Sequence, residues 1–279
     1  MNAVEINGLT KKYKDFTLDN ISFVLPNGCI MGIIGENGSG KTTTIKSILG
    51  LINPDSGTIN VFGKKLDRES KNYIGAVLDD TGIPMGLNAK DINSIMKYAY
   101  KEWDEKAYFA LMDKYELPLR KKVSDYSKGM KTKLKIAIAI SHNARLLVLD
   151  EPTEGLDPLA RDEFINIINE FTRNEEHSVI LSSHIISDLE KICDYITFIS
   201  RGKLMLCEEK DKLYEQYGII HTTEQLLSEL SPGSIKGQKR IGENIEAIVD
   251  KTMIPNNIRT SPINIEELFV FMAKKEEVH

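Results

Sequence analysis

Residues Gly35–Thr42 read GENGSGKT, and they follow directly on the apolar run Ile30–Ile34. The spacing is G-x-x-x-x-G-K-[ST], placed where a strand ends and a helix opens. Glycines in such a turn let successive backbone N–H groups converge on a phosphate. The Lys41 ammonium can then lie against β and γ oxygens, and the Thr42 hydroxyl can complete the coordination of a magnesium ion. The stretch predicts a nucleotide triphosphate held by Gly35, Glu36, Asn37, Gly38, Ser39, Gly40, Lys41, Thr42 and Thr43.

The matching half of the chemistry lies at LLVLDE, Leu146–Glu151. Four aliphatic residues make a buried strand that delivers two carboxylates to its C-terminal edge, where ligands of α/β sheets collect. Asp150 is placed to hold the magnesium shell through water, and Glu151 to orient and polarise an attacking water. LSSHIISDLE sets His184 just beyond another apolar run, in position to sense a γ-phosphate. A third signal is VSDYSKGMKTKLKIAIAI, Val123–Ile140. Here a polar turn with Ser127 and Gly129 runs into an apolar helical pattern, so free N–H groups and a positive dipole end face outward.

Outward from these motifs, short apolar runs alternate with amphipathic helical patterns. Strands are expected at Val4–Leu9, Asp19–Leu25, Ile30–Ile34, Thr58–Phe62, Leu146–Leu149, Val179–Leu181 and Tyr195–Ile199. Helices are expected at Thr42–Leu49, over the Phe164, Ile167, Ile168, Phe171 face, and at Ile186–Ile192. The fold class is therefore α/β, a largely parallel sheet covered by helices. It carries a helical insert near 88–145, where Trp103 separates two helical stripes and reads as a packing residue. After about Gly218 a small α/β appendage is expected, its last helix starting at Ser261-Pro262.

Composition narrows the class further. Hydrophobic residues at 41% and charged ones at 28% describe an ordinary globular chain. The net charge of -5 argues against nucleic acid as a main partner. Cys29, Cys193 and Cys207 are widely spaced and form no CxxC pair, so they read as reduced thiols. No signal peptide is expected, and no window approaches the ~18 apolar residues of a membrane span. A membrane role would have to come through a partner chain.

In this order, the motifs of residues 1 to about 215 resemble the ATP-binding subunit of an ABC transporter. The resemblance implies a P-loop NTPase (ABC ATPase) core over 1–217, with the helical subdomain inside it and an accessory domain over 218–279. It implies ATP and Mg2+ as ligands, Tyr13 stacked on adenine, GENGSGKT as Walker A, and LLVLDE as Walker B with Glu151 as catalytic glutamate. EGLD, 154–157, matches the D-loop with Asp157 as its aspartate, and His184 matches the switch histidine. YSKGM, Tyr126–Met130, stands where the family carries LSGGQ: Ser127 and Gly129 match, while Lys128 and Met130 depart. In that family two subunits pair head to tail, and the signature of one caps the γ-phosphate held by the other. A homodimer and a separately encoded integral membrane permease are implied, with the chain on the cytoplasmic face of the cell membrane. The insert 88–122 and the loop after Asp79 are expected to grip the permease.

A second departure is IGAVLDD, Ile74–Asp80. The family ends this strand with a glutamine, and Asp79 is the aligned residue. Aspartate can still bind magnesium or accept from water, but it lacks the amide donor; Asp80 is the alternative group. Together with YSKGM and the appendage, this resembles the ATPases of ABC-2-type exporters in Gram-positive bacteria, of the bacitracin resistance, lantibiotic immunity and phenol-soluble modulin export type. Export of antimicrobial or amphipathic peptides or drugs is the implied function. The alternative is an ATP-dependent dimerising module that signals or protects a target without transport.

Overall fold

The computed structural model describes residues 1–78, 82–242 and 244–275. The chain divides into two compact units, Met1–Cys207 and Glu208–His279. The sequence pattern places the change at 217/218; the apolar stretch that begins there is a strand inside the second unit.

In the first unit, β1 (Asn2–Lys12) and β2 (Thr17–Pro26) pair antiparallel, Lys12 opposite Thr17 and Ile6 opposite Phe23. β3 (Ile30–Ile34) leaves this pair and leads into α1 (Lys41–Ile48). The chain then returns to β1 as the antiparallel β4 (Ser56–Val61) and the short β5 (Lys64–Lys65), giving the sheet order β2-β1-β4-β5. The strand pattern predicted one largely parallel sheet, and these four strands are separate from it. Only residues 13–16 join β1 to β2, far too few for a parallel crossover, so the pair must be antiparallel.

The second sheet adds β6 (Ile74–Val77), β7 (Leu146–Asp150), β8 (Ser178–Ser182), β9 (Tyr195–Ser200) and β10 (Lys203–Glu209) to β3, in the order β10-β9-β3-β8-β7-β6. From β9 to β6 every pairing is parallel. β3, β7 and β8 are buried at every residue, which is why they read as unbroken apolar runs without alternation. Parallel pairing brings the C-terminal ends of β3, β7 and β8 to one edge.

The insert begins with α2 (Ala89–Ala99), started by a reciprocal Asn88–Asp91 cap, and α3 (Glu105–Lys114), capped by Asp104. Trp103 between them is a packing residue. Its Nε1 donates to Asn93 Oδ1 at 2.9 Å, and its ring lies 5.2 Å from that of Tyr108. Tyr108 is fully buried and donates to Ala89 O at 3.1 Å; burial pushes its phenol above the ordinary tyrosine range. α4 (Lys128–Ile140) then returns to the sheet, and α5 (Pro158–Phe171) and α6 (Ile186–Ile192) complete the parallel crossovers. A Cβ on Gly75 of β6 would stand 2.4 Å from Ala139 O, so α4 and β6 touch backbone to backbone. Lys135 Nζ on α4 donates to Leu78 O at 3.0 Å, just past the end of the same strand.

The second unit has α7 (Lys210–Gln216), β11 (Tyr217–Thr222), α8 (Glu224–Ser228), β12 (Ile235–Ile241), β13 (Asn244–Asp250) and α9 (Ile265–Lys275). Its antiparallel sheet runs β11-β13-β12 around Ile220, Ile245, Ala247 and Val249. The last helix starts at Ile265, later than Ser261-Pro262. Asn264 accepts from Glu267 N at 2.7 Å and Glu267 accepts from Asn264 N at 3.1 Å, a reciprocal cap. Ser261 instead forms a bridge with Ile219.

Gly75→Val should destabilise the chain by about 1–3 kcal/mol, the usual range for overpacking. Urea unfolding followed by circular dichroism would show a lower midpoint; an unshifted one would contradict the tight α4–β6 contact.

Candidate active site

Asp150 and Ser182 are the last residues of β7 and β8 and stand opposite each other in the register. The fully buried Ser182 hydroxyl donates to Asp150 Oδ1 at 2.6 Å and accepts from Glu151 N at 3.0 Å. Glu151, one residue beyond the strand, has φ 48°, in the left-handed region. For a residue with a Cβ, such a conformation costs on the order of 1–3 kcal/mol unless neighbours impose it. Here the Ser182 hydrogen bond imposes it from the backbone side, and contacts with Lys41 and His184 hold the side chain. Glu151 Oε1 lies 3.4 Å from Lys41 Nζ, and Oε2 lies 2.8 Å from His184 Nδ1 and accepts from His184 N at 3.1 Å.

Lys41 is almost wholly buried and also donates to Gly35 O at 2.7 Å and Glu36 O at 3.3 Å. The loop therefore wraps its own lysine, so the ammonium faces the same space as the helix start. Gly40 is the N-cap of α1 with φ 115°, a value open to glycine, and no side chain caps the helix. The first-turn N–H groups remain available to an anion, and no acidic residue in that turn opposes one. The Ser39 hydroxyl is buried without a hydrogen-bond partner, an orphan that a ligand's oxygen would satisfy.

A cleft of about 570 Å³ opens over these groups. Tyr13, Glu36, Asn37, Gly38, Gly40, Lys41, Thr42, Thr43 and Glu151 all line it, together with Asp15 and Phe16. Tyr13 is 46% exposed, its N–H donates to Phe16 O at 2.7 Å, and the two rings lie 6.4 Å apart. A partly exposed aromatic beside an anion-binding helix start gives a flat ring for a base and donors for its phosphates.

Ser127, Gly129 and Asp157 are not on this cleft; they form a second cluster. Ser127 caps α4, accepting from Met130 N at 3.2 Å, and Asp157 caps α5, accepting from Ala160 N at 3.0 Å. A Cβ on Gly129 would sit 3.2 Å from Ala160 Cβ, so the two helix starts lie side by side. Asp79 falls outside the described residues. Sequence reasoning overlooked Ser182, Asp15 and Phe16. Ser182 sits two residues before His184 in LSSH, and only its register with Asp150 reveals its role.

The family model for ABC transporters matches residues 18–154. The chain is 35% identical to the lantibiotic transport ATP-binding protein SrtF of Streptococcus pyogenes, over 75% of this chain and 91% of that one. The chain belongs to the ABC transporter ATPase family. It is also 35% identical to the bacitracin transport ATP-binding protein BcrA of Bacillus licheniformis, over 72% of this chain and 68% of that one. Its fold matches a dimeric ATP-binding cassette, MJ0796, in a post-hydrolysis state bound to ADP and Pi, with a TM-score of 0.66 and 21% identity, covering 74% of this chain and 98% of that one. Family membership makes the chain an ATP-binding and ATP-hydrolysing subunit with a P-loop NTPase core.

Two outcomes follow from the contacts of Glu151. Glu151→Gln keeps the cleft's shape, so ATP should still bind, while turnover falls by at least ~10²-fold, as when a general base is lost. Phosphate release measured beside ATP titration calorimetry separates the two effects; normal turnover would remove Glu151 from the chemistry. Ser182→Ala deletes both bonds that set the Asp150–Glu151 step and should lower kcat about tenfold, with ATP affinity within about twofold of the parent. An unchanged kcat would show that the strained turn holds itself.

Proposed function

We propose that this ATPase powers an exporter of antimicrobial or amphipathic peptides or drugs through a separately encoded membrane subunit, acting as a homodimer on the cytoplasmic face of the cell membrane. The observation that carries the two-copy reading is the separation of the site into two clusters. Lys41, Glu151 and His184 surround the P-loop, while Ser127, Gly129 and Asp157 sit on other helix starts that do not line the nucleotide cleft. Two copies arranged head to tail bring one cluster onto the other twice, giving two composite sites.

In this arrangement the P-loop and Lys41 hold the phosphates, and Tyr13 supports the base. Glu151 orients the attacking water, and His184, fixed through Nδ1, presents Nε2 toward the γ-phosphate. The Thr42 hydroxyl and Asp150 fit a magnesium ion. Asp150 spends Oδ1 on Ser182, which leaves its other oxygen for a metal-bound water. Among the described residues no group of three or more His, Cys, Asp and Glu could hold a metal, as suits an ion kept mainly by phosphates and waters. Magnesium would neutralise charge on the β- and γ-phosphate oxygens. Asp79 remains a candidate for the same ion. ATP bridges the two copies and ADP lacks the bridging group, so closure and opening follow the nucleotide's state.

Among the described residues no helix is long and apolar enough to cross a membrane; the membrane subunit is supported by the relatives, which are ATP-binding proteins of transport. Exposed Met85, in the loop before the insert, and exposed Ile95 and Tyr98 on α2 offer apolar contacts for it. The peptide class is supported by the names of the lantibiotic and bacitracin relatives.

Reconstitution with the membrane subunit in proteoliposomes tests this reading. Lantibiotic-like or bacitracin-like peptides should raise ATP hydrolysis several-fold and move across the bilayer only with ATP. Hydrolysis indifferent to every such peptide would sink the cargo assignment.

A further inference from the structure

The Lys41 ammonium carries three N–H donors. Three oxygens of its own chain take them: Gly35 O at 2.7 Å, Glu36 O at 3.3 Å and Glu151 Oε1 at 3.4 Å. The lysine read as the partner of phosphate oxygens is therefore saturated from within. Glu151 is occupied in the same way, since its Oε2 faces both the backbone N–H and the ring Nδ1 of His184. The carboxylate read as the base and the ammonium read as the phosphate holder thus neutralise each other.

The three contacts of Lys41 are not equivalent. Gly35 and Glu36 belong to the loop that wraps the lysine, so their carbonyls travel with it. Glu151 follows a different strand, β7, and makes the longest of the three contacts. The pair is shielded, with side-chain exposures of 6% and 16%, so dissolved salt screens it little. A phosphate oxygen entering beside Lys41 bears the same sign of charge as Glu151 and competes for the same donor. The glutamate is the acceptor that yields, because its side chain can turn while the two carbonyls are fixed in the loop backbone. Ser182 Oγ holds Glu151 N and His184 holds Oε2, so the exchange is a side-chain rotation about a held end.

We propose that Lys41 holds Glu151 back as a latch, and that the nucleotide's phosphates open it by taking over the ammonium. Oε1 is then free to accept a hydrogen bond from the attacking water, while Oε2 stays on His184. Binding and arming become one event: the carboxylate turns to water only where a phosphate has replaced it on Lys41. The inference rests on the reading of Lys41 as the phosphate-binding lysine. It adds a cost that every nucleotide meets on entry, the breaking of a shielded ion pair. Removing the latch should therefore tighten nucleotide binding even where it abolishes turnover.

Titration calorimetry of the full-length chain with ADP, which binds without being consumed, tests the latch. Glu151→Gln removes the charge. Glu151→Asp keeps the charge but is one methylene too short to span from its fixed backbone to Lys41. Both should bind ADP about tenfold tighter than the parent, equal to about 1.4 kcal/mol. Glu151→Asp decides: tighter binding upholds the latch, and parent-like or weaker binding overturns it, leaving any gain in Glu151→Gln to plain charge repulsion. Lys41→Ala separates the inference from the reading beneath it, and its ADP affinity should fall at least tenfold. A Lys41→Ala chain that binds ADP as the parent does would overturn the phosphate role of Lys41, and the latch with it.

Discussion

One carboxylate ties the catalytic edge together. Glu151 reaches Lys41 beyond β3 and His184 beyond β8, while its own backbone is anchored to Ser182 from β7's neighbour. These contacts join groups that follow three parallel strands, and the pairing of Asp150 opposite Ser182 sets β7 and β8 level at that edge. The left-handed φ of Glu151 is sustained by the same arrangement. A slip of one residue between β7 and β8 would turn Ser182 to the other face and leave Asp150 and Glu151 unsupported.

The rest of the first unit serves to keep that edge rigid while leaving its ligands free. The helix start at Gly40 is uncapped, and the buried Ser39 hydroxyl has no protein partner, so binding capacity is held in reserve for the nucleotide. By contrast the starts of α4 and α5 are capped by Ser127 and Asp157, and each cap satisfies a backbone N–H within its own chain. The P-loop is thus an open receptor, whereas the signature cluster is a finished surface whose outward chemistry is a hydroxyl, first-turn N–H groups and the Lys128 ammonium.

The α4 start and the end of β6 are joined through packed contacts. α4 carries the signature at one end and lies backbone against backbone on β6 at the other, through Gly75 and Ala139. Lys135 adds a hydrogen bond to Leu78, the last described residue before the predicted magnesium ligand Asp79. The helix that begins at Ser127 is thus packed directly against the end of β6.

By itself the sequence determined the nucleotide chemistry, because GENGSGKT, LLVLDE and the histidine of LSSH are local patterns whose spacing follows from a strand running into a turn. The buried strands and the packing role of Trp103 were equally local, read from apolar runs and helical stripes. The antiparallel sheet of β1, β2, β4 and β5 was decided by tertiary structure, since strand direction depends on which strands meet and an apolar run is silent about that. So was the start of α9, where the Asn264–Glu267 cap outcompeted Ser261-Pro262 once Ser261 was drawn to β11. Ser182 gained its role only from its register with Asp150. Periodicity and motif spacing record what a residue does along the chain; what it does across the chain is settled when distant segments pack.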